Sequence, residues 1–202
     1  MAAGTLRTRA RQSRRESRER IVAAATELIR TRSYSELSVD AVMREAGLGR
    51  TIFYRHFDDL AELILTASRE AIQQLYRAEE ELAQARANDD PAAVRGALAA
   101  AVDVYQRHGP LLRAVAEAAP GDEQIRRDYE ILRRRFDDFA ERSLREVAHL
   151  GSTPPADFAE TARALNLMGV SYLLDAFGRE PRIDTETAVQ TLTEIWEAVI
   201  RR

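Results

Sequence analysis

Cysteine is absent from this 202-residue chain. That excludes disulfides, thiolate metal sites and a cysteine nucleophile. Lysine is absent too, so every basic side chain apart from three histidines is an arginine. His56, His108 and His149 lie far apart, and none stands at metal-ligand spacing to another. No apolar run reaches the roughly 18 residues that a bilayer span requires. No apolar stretch follows the arginine-rich start, so a secretory signal is not expected and a cytoplasmic chain is. Alternating runs of Val, Ile and Thr between turn residues are missing, which argues against strands. Without strands there is no strand–glycine loop–helix unit to cradle a phosphate, and no Ser/His/Asp set can be assembled. The chain is not expected to be an enzyme or to carry a metal or cofactor.

What is present is an ordinary folding composition, 45 % apolar and 31 % charged, in a chain long enough for a sizeable core. The net charge of −3 hides a polarity. Residues 1–57 hold 12 arginines against 6 carboxylates, and residues 58–202 hold 18 against 27. A basic head on an acidic body points to a polyanionic partner for the head alone.

Glycine and proline punctuate segments of helical period at Pro91, Gly109-Pro110, Pro120-Gly121, Gly151 and Pro181. The expected fold is all-α, with about nine helices at 14–31, 39–45, 50–56, 59–86, 91–107, 111–118, 122–149, 155–178 and 184–200. Residues 1–13 lack apolar periodicity and are expected to form a disordered basic arm, preceding a head at 14–58 and a body at 59–202. Ser38 is a natural N-cap, and Asp58 or Asp59 another. In the body, Ile125, Tyr129, Leu132, Phe136, Phe139, Val147 and Leu150 share one face of a long helix.

The stretch "AGLGRTIFYRHF" at 46–57 joins a glycine-containing turn to a short helix. Gly47 suits a positive φ at the end of the second helix. Phe53 and Phe57, four apart, are expected to face inward. Arg50, Thr51, Tyr54 and Arg55 then face outward, as a helix entering a DNA major groove requires. The alternative is an amphipathic helix with a solvated face.

Residues 20–64 resemble the DNA-binding domain of TetR-type transcriptional repressors along their whole length. By that resemblance Ser38, Arg50, Thr51, Tyr54 and His56 stand where the family touches DNA. Three positions depart from its pattern. Gly49 replaces a capping serine, Ile52 a common threonine, and Leu60 a frequent phosphate-binding lysine. Arg7, Arg9, Arg11, Arg14, Arg15, Arg18 and Arg20 could compensate by clamping phosphates or entering a minor groove, or could form a solvated tail.

The segment "ARALNLMGVSYLLDAFGREPRIDTETAVQTLTEIWEAV" further resembles the ethionamide-resistance branch of that family in mycobacteria. The resemblance implies a body that binds a small molecule and a homodimer formed through the last two helices on double-stranded operator DNA. It also implies that Asn166 faces a ligand; the alternative is a neighbouring side chain or carbonyl as partner. Gly169 stands where the branch has a second asparagine, so ligand polarity should differ. Trp196, Phe136, Phe139, Tyr129 and Tyr172 are candidate cavity walls, with core packing or subunit contact the alternative. A helical DNA-binding dimer without any ligand remains the competing function.

Overall fold

The computed structural model describes residues 2–87, 92–149 and 154–200. Among them are eight α-helices and one short 3-10 turn, with no strand. The all-α expectation holds, but the count falls short of nine by one. The helices are α1 (Ala2–Thr31), α2 (Val39–Glu45), α3 (Arg50–Phe53), α4 (Leu60–Ala87), α5 (Ala93–Ala118), α6 (Glu123–His149), α7 (Phe158–Gly178) and α8 (Thr185–Ile200). The breaks expected at Pro91 and Gly151, and the stripe residue Leu150, lie outside the described residues, as does the side chain of Val147.

Two expectations need correction. Over residues 2–13 the chain is not a disordered arm but the first turns of α1. Alanine, arginine and glutamine are strong helix formers that extend a helix without any apolar stripe. The side chains of Arg7, Arg9 and Arg11 lie outside the described ones. The second correction concerns Gly109-Pro110, where 91–107 and 111–118 were expected as separate helices. They form one helix, α5, with Pro110 inside it. Proline cannot donate to the carbonyl four residues back. That carbonyl, of Gln106, instead accepts from Arg182 Nη1 at 2.7 Å. Gly109 is required for another reason: a Cβ there would sit 2.2 Å from the Phe177 carbonyl oxygen.

The head is built as its sequence directs. Ser38 Oγ caps α2 by accepting from Ala41 N at 3.2 Å, and Asp59 caps α4 by accepting from Glu62 N at 2.9 Å. Gly47 takes φ +62 after α2. Ile21, Ala25, Ile29, Val42, Phe53, Phe57, Leu63 and Ile64 are buried in one cluster. That cluster also takes in Leu111, Ala114, Val115 and Ala118 of α5, so the head sits directly on the end of a body helix.

In the body α4 packs along α5, α5 against α7 and α8, and α6 along α7. An ionic lock ties body to head. Arg113, with a side chain only 10 % exposed, donates Nε to the Gly178 carbonyl at 2.9 Å and Nη2 to the Arg32 carbonyl at 3.3 Å. Its Nη1 meets Glu117 at 2.5 Å. Glu117 also accepts from Arg179 at 2.9 Å and from Tyr34 N at 3.3 Å.

Candidate nucleic-acid interface and effector cavity

The outer face of the head gathers the residues that its sequence singled out. Ser38, Arg50, Thr51, Tyr54 and Arg55 are exposed, and His56 is half-buried. Phe53 and Phe57 point inward with ring centroids 5.7 Å apart. The helical hydrogen-bonding of α3 ends at Phe53, earlier than the expected 56. Arg55, His56 and Phe57 follow in a tightened turn, with His56 N donating to the Phe53 carbonyl at 2.8 Å.

Arg50 is the best-held member of the face. Nη1 meets Asp40 Oδ1 at 2.5 Å, and Nη2 donates to the Tyr54 hydroxyl at 3.0 Å. The hydrogen bond it donates to Asp40, and then the one to Tyr54, hold its guanidinium more firmly protonated than usual. Arg50, Tyr54 and α2 therefore present one pre-ordered surface.

The arginines of α1 divide by partner. Arg20 donates to the Ala46 carbonyl at 2.6 Å and so caps the end of α2. Arg18 donates to Thr66 at 3.3 Å and lies over the Phe57 ring. Arg15 pairs with Glu19, and Arg14 donates to the Arg55 carbonyl at 3.0 Å. Arg14, Ser17, Ile52, Arg55 and His56 line an open basic groove of about 570 Å³ between α1 and α3. Partial burial lowers the His56 pKa, and Arg14, Arg18 and Arg55 lower it further. Its imidazole is thus neutral at neutral pH, and the groove's charge comes from guanidinium groups. Leu60, where the family often has a lysine, is half-buried against the head core.

The body holds two adjoining apolar cavities of about 150 and 160 Å³. An apolar void near 150 Å³ accepts a ligand the size of a benzene ring. Leu75, Leu98, Ala101, Phe136, Asn166 and Trp196 line both. Phe139 lines one, and Tyr129 the other. The walls come from α4, α5, α6, α7 and α8. Tyr172 is the correction: it lines neither cavity and packs instead against the neighbouring core cluster of Leu173, Phe177 and Leu192. Asn166 has the neighbouring side-chain partner that was its alternative reading, and it also stands at the cavity wall. Its Nδ2 donates to Asp137 Oδ1 at 3.0 Å while the side chain borders both cavities.

Sequence reasoning missed four polar wall residues, of which Ser143 lines the first cavity. Glu79, with a side chain 7 % exposed, accepts from Arg135 Nε at 3.0 Å. Tyr105 and Arg133 line the second cavity. No signal marked them, because a polar residue at helical spacing looks the same facing solvent or a cavity.

Residues 21–67 match the model for bacterial regulatory proteins of the tetR family, and residues 94–201 match the C-terminal domain of the transcriptional regulator EthR. The chain belongs to the TetR family. It is 25 % identical over 192 residues to the HTH-type transcriptional regulator EthR of Mycolicibacterium smegmatis, covering 94 % of this chain and 88 % of that one. The fold is similar to that of PfmR from Thermus thermophilus, a TetR-family regulator. The TM-score is 0.74 at 21 % identity, covering 90 % of this chain and 99 % of that one. It is also similar to NalD, the secondary repressor of the MexAB-OprM multidrug efflux pump in Pseudomonas aeruginosa. There the TM-score is 0.71 at 20 % identity, covering 95 % and 98 %. TetR-family members are DNA-binding transcription factors, not enzymes, and this one has an EthR-like body. No described helix is long and apolar enough to cross a membrane.

Proposed function

We propose that this TetR-family chain is a repressor that grips palindromic operator DNA as a homodimer and lets go when a small, mostly apolar effector fills the body. The observation that carries this reading is the reach of α4. Leu63 and Ile64 of that helix are buried in the head core, and Leu75 lines both cavities about three turns on. One rigid element therefore feels both the effector and the recognition surface.

Ser38, Arg50, Thr51, Tyr54, Arg55 and His56 form the DNA-facing set. Arginine supplies bidentate contacts to guanine or phosphate, and the small polar groups position the backbone. Dimer formation through α7 and α8 is supported by two large apolar residues in the open on α7, Leu167 at 42 % and Met168 at 37 % exposure. Of the apolar residues on α7 and α8, Ala162, Leu165, Leu173, Val189 and Leu192 are buried within one chain, whereas Phe158, Trp196 and Val199 stay half-buried. The partner contact falls on the rest of α7 and α8.

Asn166, Trp196, Phe136 and Phe139 form the effector-facing set. A ligand that wedges these walls apart shifts α4 and moves the two recognition surfaces off sites about 34 Å apart, one DNA turn. Linkage requires it to bind the free dimer more tightly than the DNA-bound one, by about 5- to 150-fold for the usual 1–3 kcal/mol of coupling. The test is fluorescence anisotropy on an operator selected from random DNA, with hits from a thermal-shift screen. Asn166→Ala should weaken the hit more than it weakens DNA. A tightly bound hit that leaves operator affinity unchanged removes the sensor half of the reading.

A further inference from the structure

Four arginines with described side chains are buried or half-buried: Arg18, Arg113, Arg133 and Arg182. Three have partners inside the fold. Arg18 has Thr66 and the Phe57 ring, Arg113 has Glu117 and two carbonyls, and Arg182 has the Gln106 carbonyl and Glu180. Arg133 has no hydrogen bond or ion pair with any described residue. It lies in the wall of the second cavity. Arg133 is half-buried as a residue, and its guanidinium has no carboxylate or carbonyl of the described residues to meet beside these apolar walls.

Its surroundings suit an anion. Tyr129, one turn back on α6, and Tyr105 on α5 line the same cavity. Burial raises the pKa of both phenols, so each keeps its proton and can donate it. The charged residue of the adjoining cavity is already matched, because Glu79 is held by Arg135. Asp137, one turn on from Arg133, is engaged by Asn166 and borders neither cavity. The paired cavities thus have an apolar middle and one uncompensated positive end.

We infer that the effector is an amphipathic carboxylate, its head held by Arg133 with Tyr105 and Tyr129 and its apolar chain running past Phe136 and Trp196 toward Phe139. This rests on the effector reading above and adds the head group to it. A planar guanidinium can take a carboxylate through two parallel N–H bonds.

Isothermal titration calorimetry of the full chain with sodium octanoate, octan-1-ol and octylammonium chloride tests it. Octanoate should bind about ten- to a hundredfold more tightly than octanol, the range of a charge-assisted hydrogen bond, and octylammonium most weakly. Arg133→Gln should erase the preference for octanoate and leave octanol unchanged, while Arg133→Lys should keep part of it. Octanol binding as well as octanoate overturns the anionic head and leaves the effector reading standing. Failure of all three to bind overturns both. An Arg133→Gln protein with unchanged octanoate affinity but weaker self-association in sedimentation also overturns it, since Arg133 would then serve the subunit contact.

Discussion

At the scale of single residues, the proposed DNA-facing surface is a question of how Arg50 is held. Its guanidinium is more than half exposed yet is braced by Asp40 and by the Tyr54 hydroxyl. Bracing costs little, because exposed ion pairs are worth about 0–1 kcal/mol and break readily. It does pre-order a long side chain, and it cancels a carboxylate that would otherwise face phosphates. Arg50→Ala should therefore do two kinds of damage. It removes a contact worth about 1–3 kcal/mol, and it leaves Asp40 uncompensated beside the DNA. Anisotropy titrations should show the double variant Arg50→Ala/Asp40→Asn binding more tightly than Arg50→Ala alone, a non-additivity expected of residues in contact. Equal affinities for the two would mean that Asp40 does not face the DNA.

At the scale of elements, α5 was the least legible part of the sequence and the reason is physical. Gly109-Pro110 is a breaker pair by every local rule. What overrides it is tertiary: Arg182, 72 residues beyond Pro110, satisfies the carbonyl that the proline frees, and Phe177 presses its backbone onto the bare Cα of Gly109. Gly109→Ala should overpack this contact and destabilise the fold by about 1–3 kcal/mol. That corresponds to a melting temperature lower by roughly 2–4 °C per kcal/mol for a chain of this size. An unchanged melting temperature would show that α7 can back away freely. The head, by contrast, could be read almost residue by residue. The Ser38 cap, the Gly47 turn and the inward Phe53 and Phe57 depend on neighbours within a few positions. The cavity was only half legible. Phe136, Phe139, Asn166 and Trp196 do line it, but Tyr172, on the same helix as Asn166, lines neither cavity and packs half-buried against a core cluster. Arg133 sits in a run of three arginines that reads as a solvated face. Periodicity tells which residues share a face, not whether that face meets water, core or void.

At the scale of the whole molecule, charge separates the two tasks. The first 57 residues carry a surplus of arginine and the rest a surplus of carboxylate, for a net of −3. Nothing about a net charge this small suggests DNA binding, so affinity must come from local contacts on the head, with the body repelling the duplex. Arg14, Arg50 and Arg55 are exposed near the groove between α1 and α3. Two such heads in the proposed dimer, with one or two further arginines of α1, would give on the order of 6–10 phosphate contacts. Each neutralised phosphate releases condensed counterions, so log affinity should fall against log salt with a slope of about −0.9 per contact. Between 50 and 200 mM salt the dimer should lose roughly three to five decades of affinity for its operator. The same dependence should hold on scrambled DNA, because phosphate contacts do not read sequence, whereas Arg50→Ala should narrow the gap between operator and scrambled duplex. Anisotropy across a salt series with both duplexes measures both effects. A slope near zero would separate the arginine-rich head from phosphate altogether, and a slope half as steep with a one-to-one stoichiometry would point to a single head on the DNA.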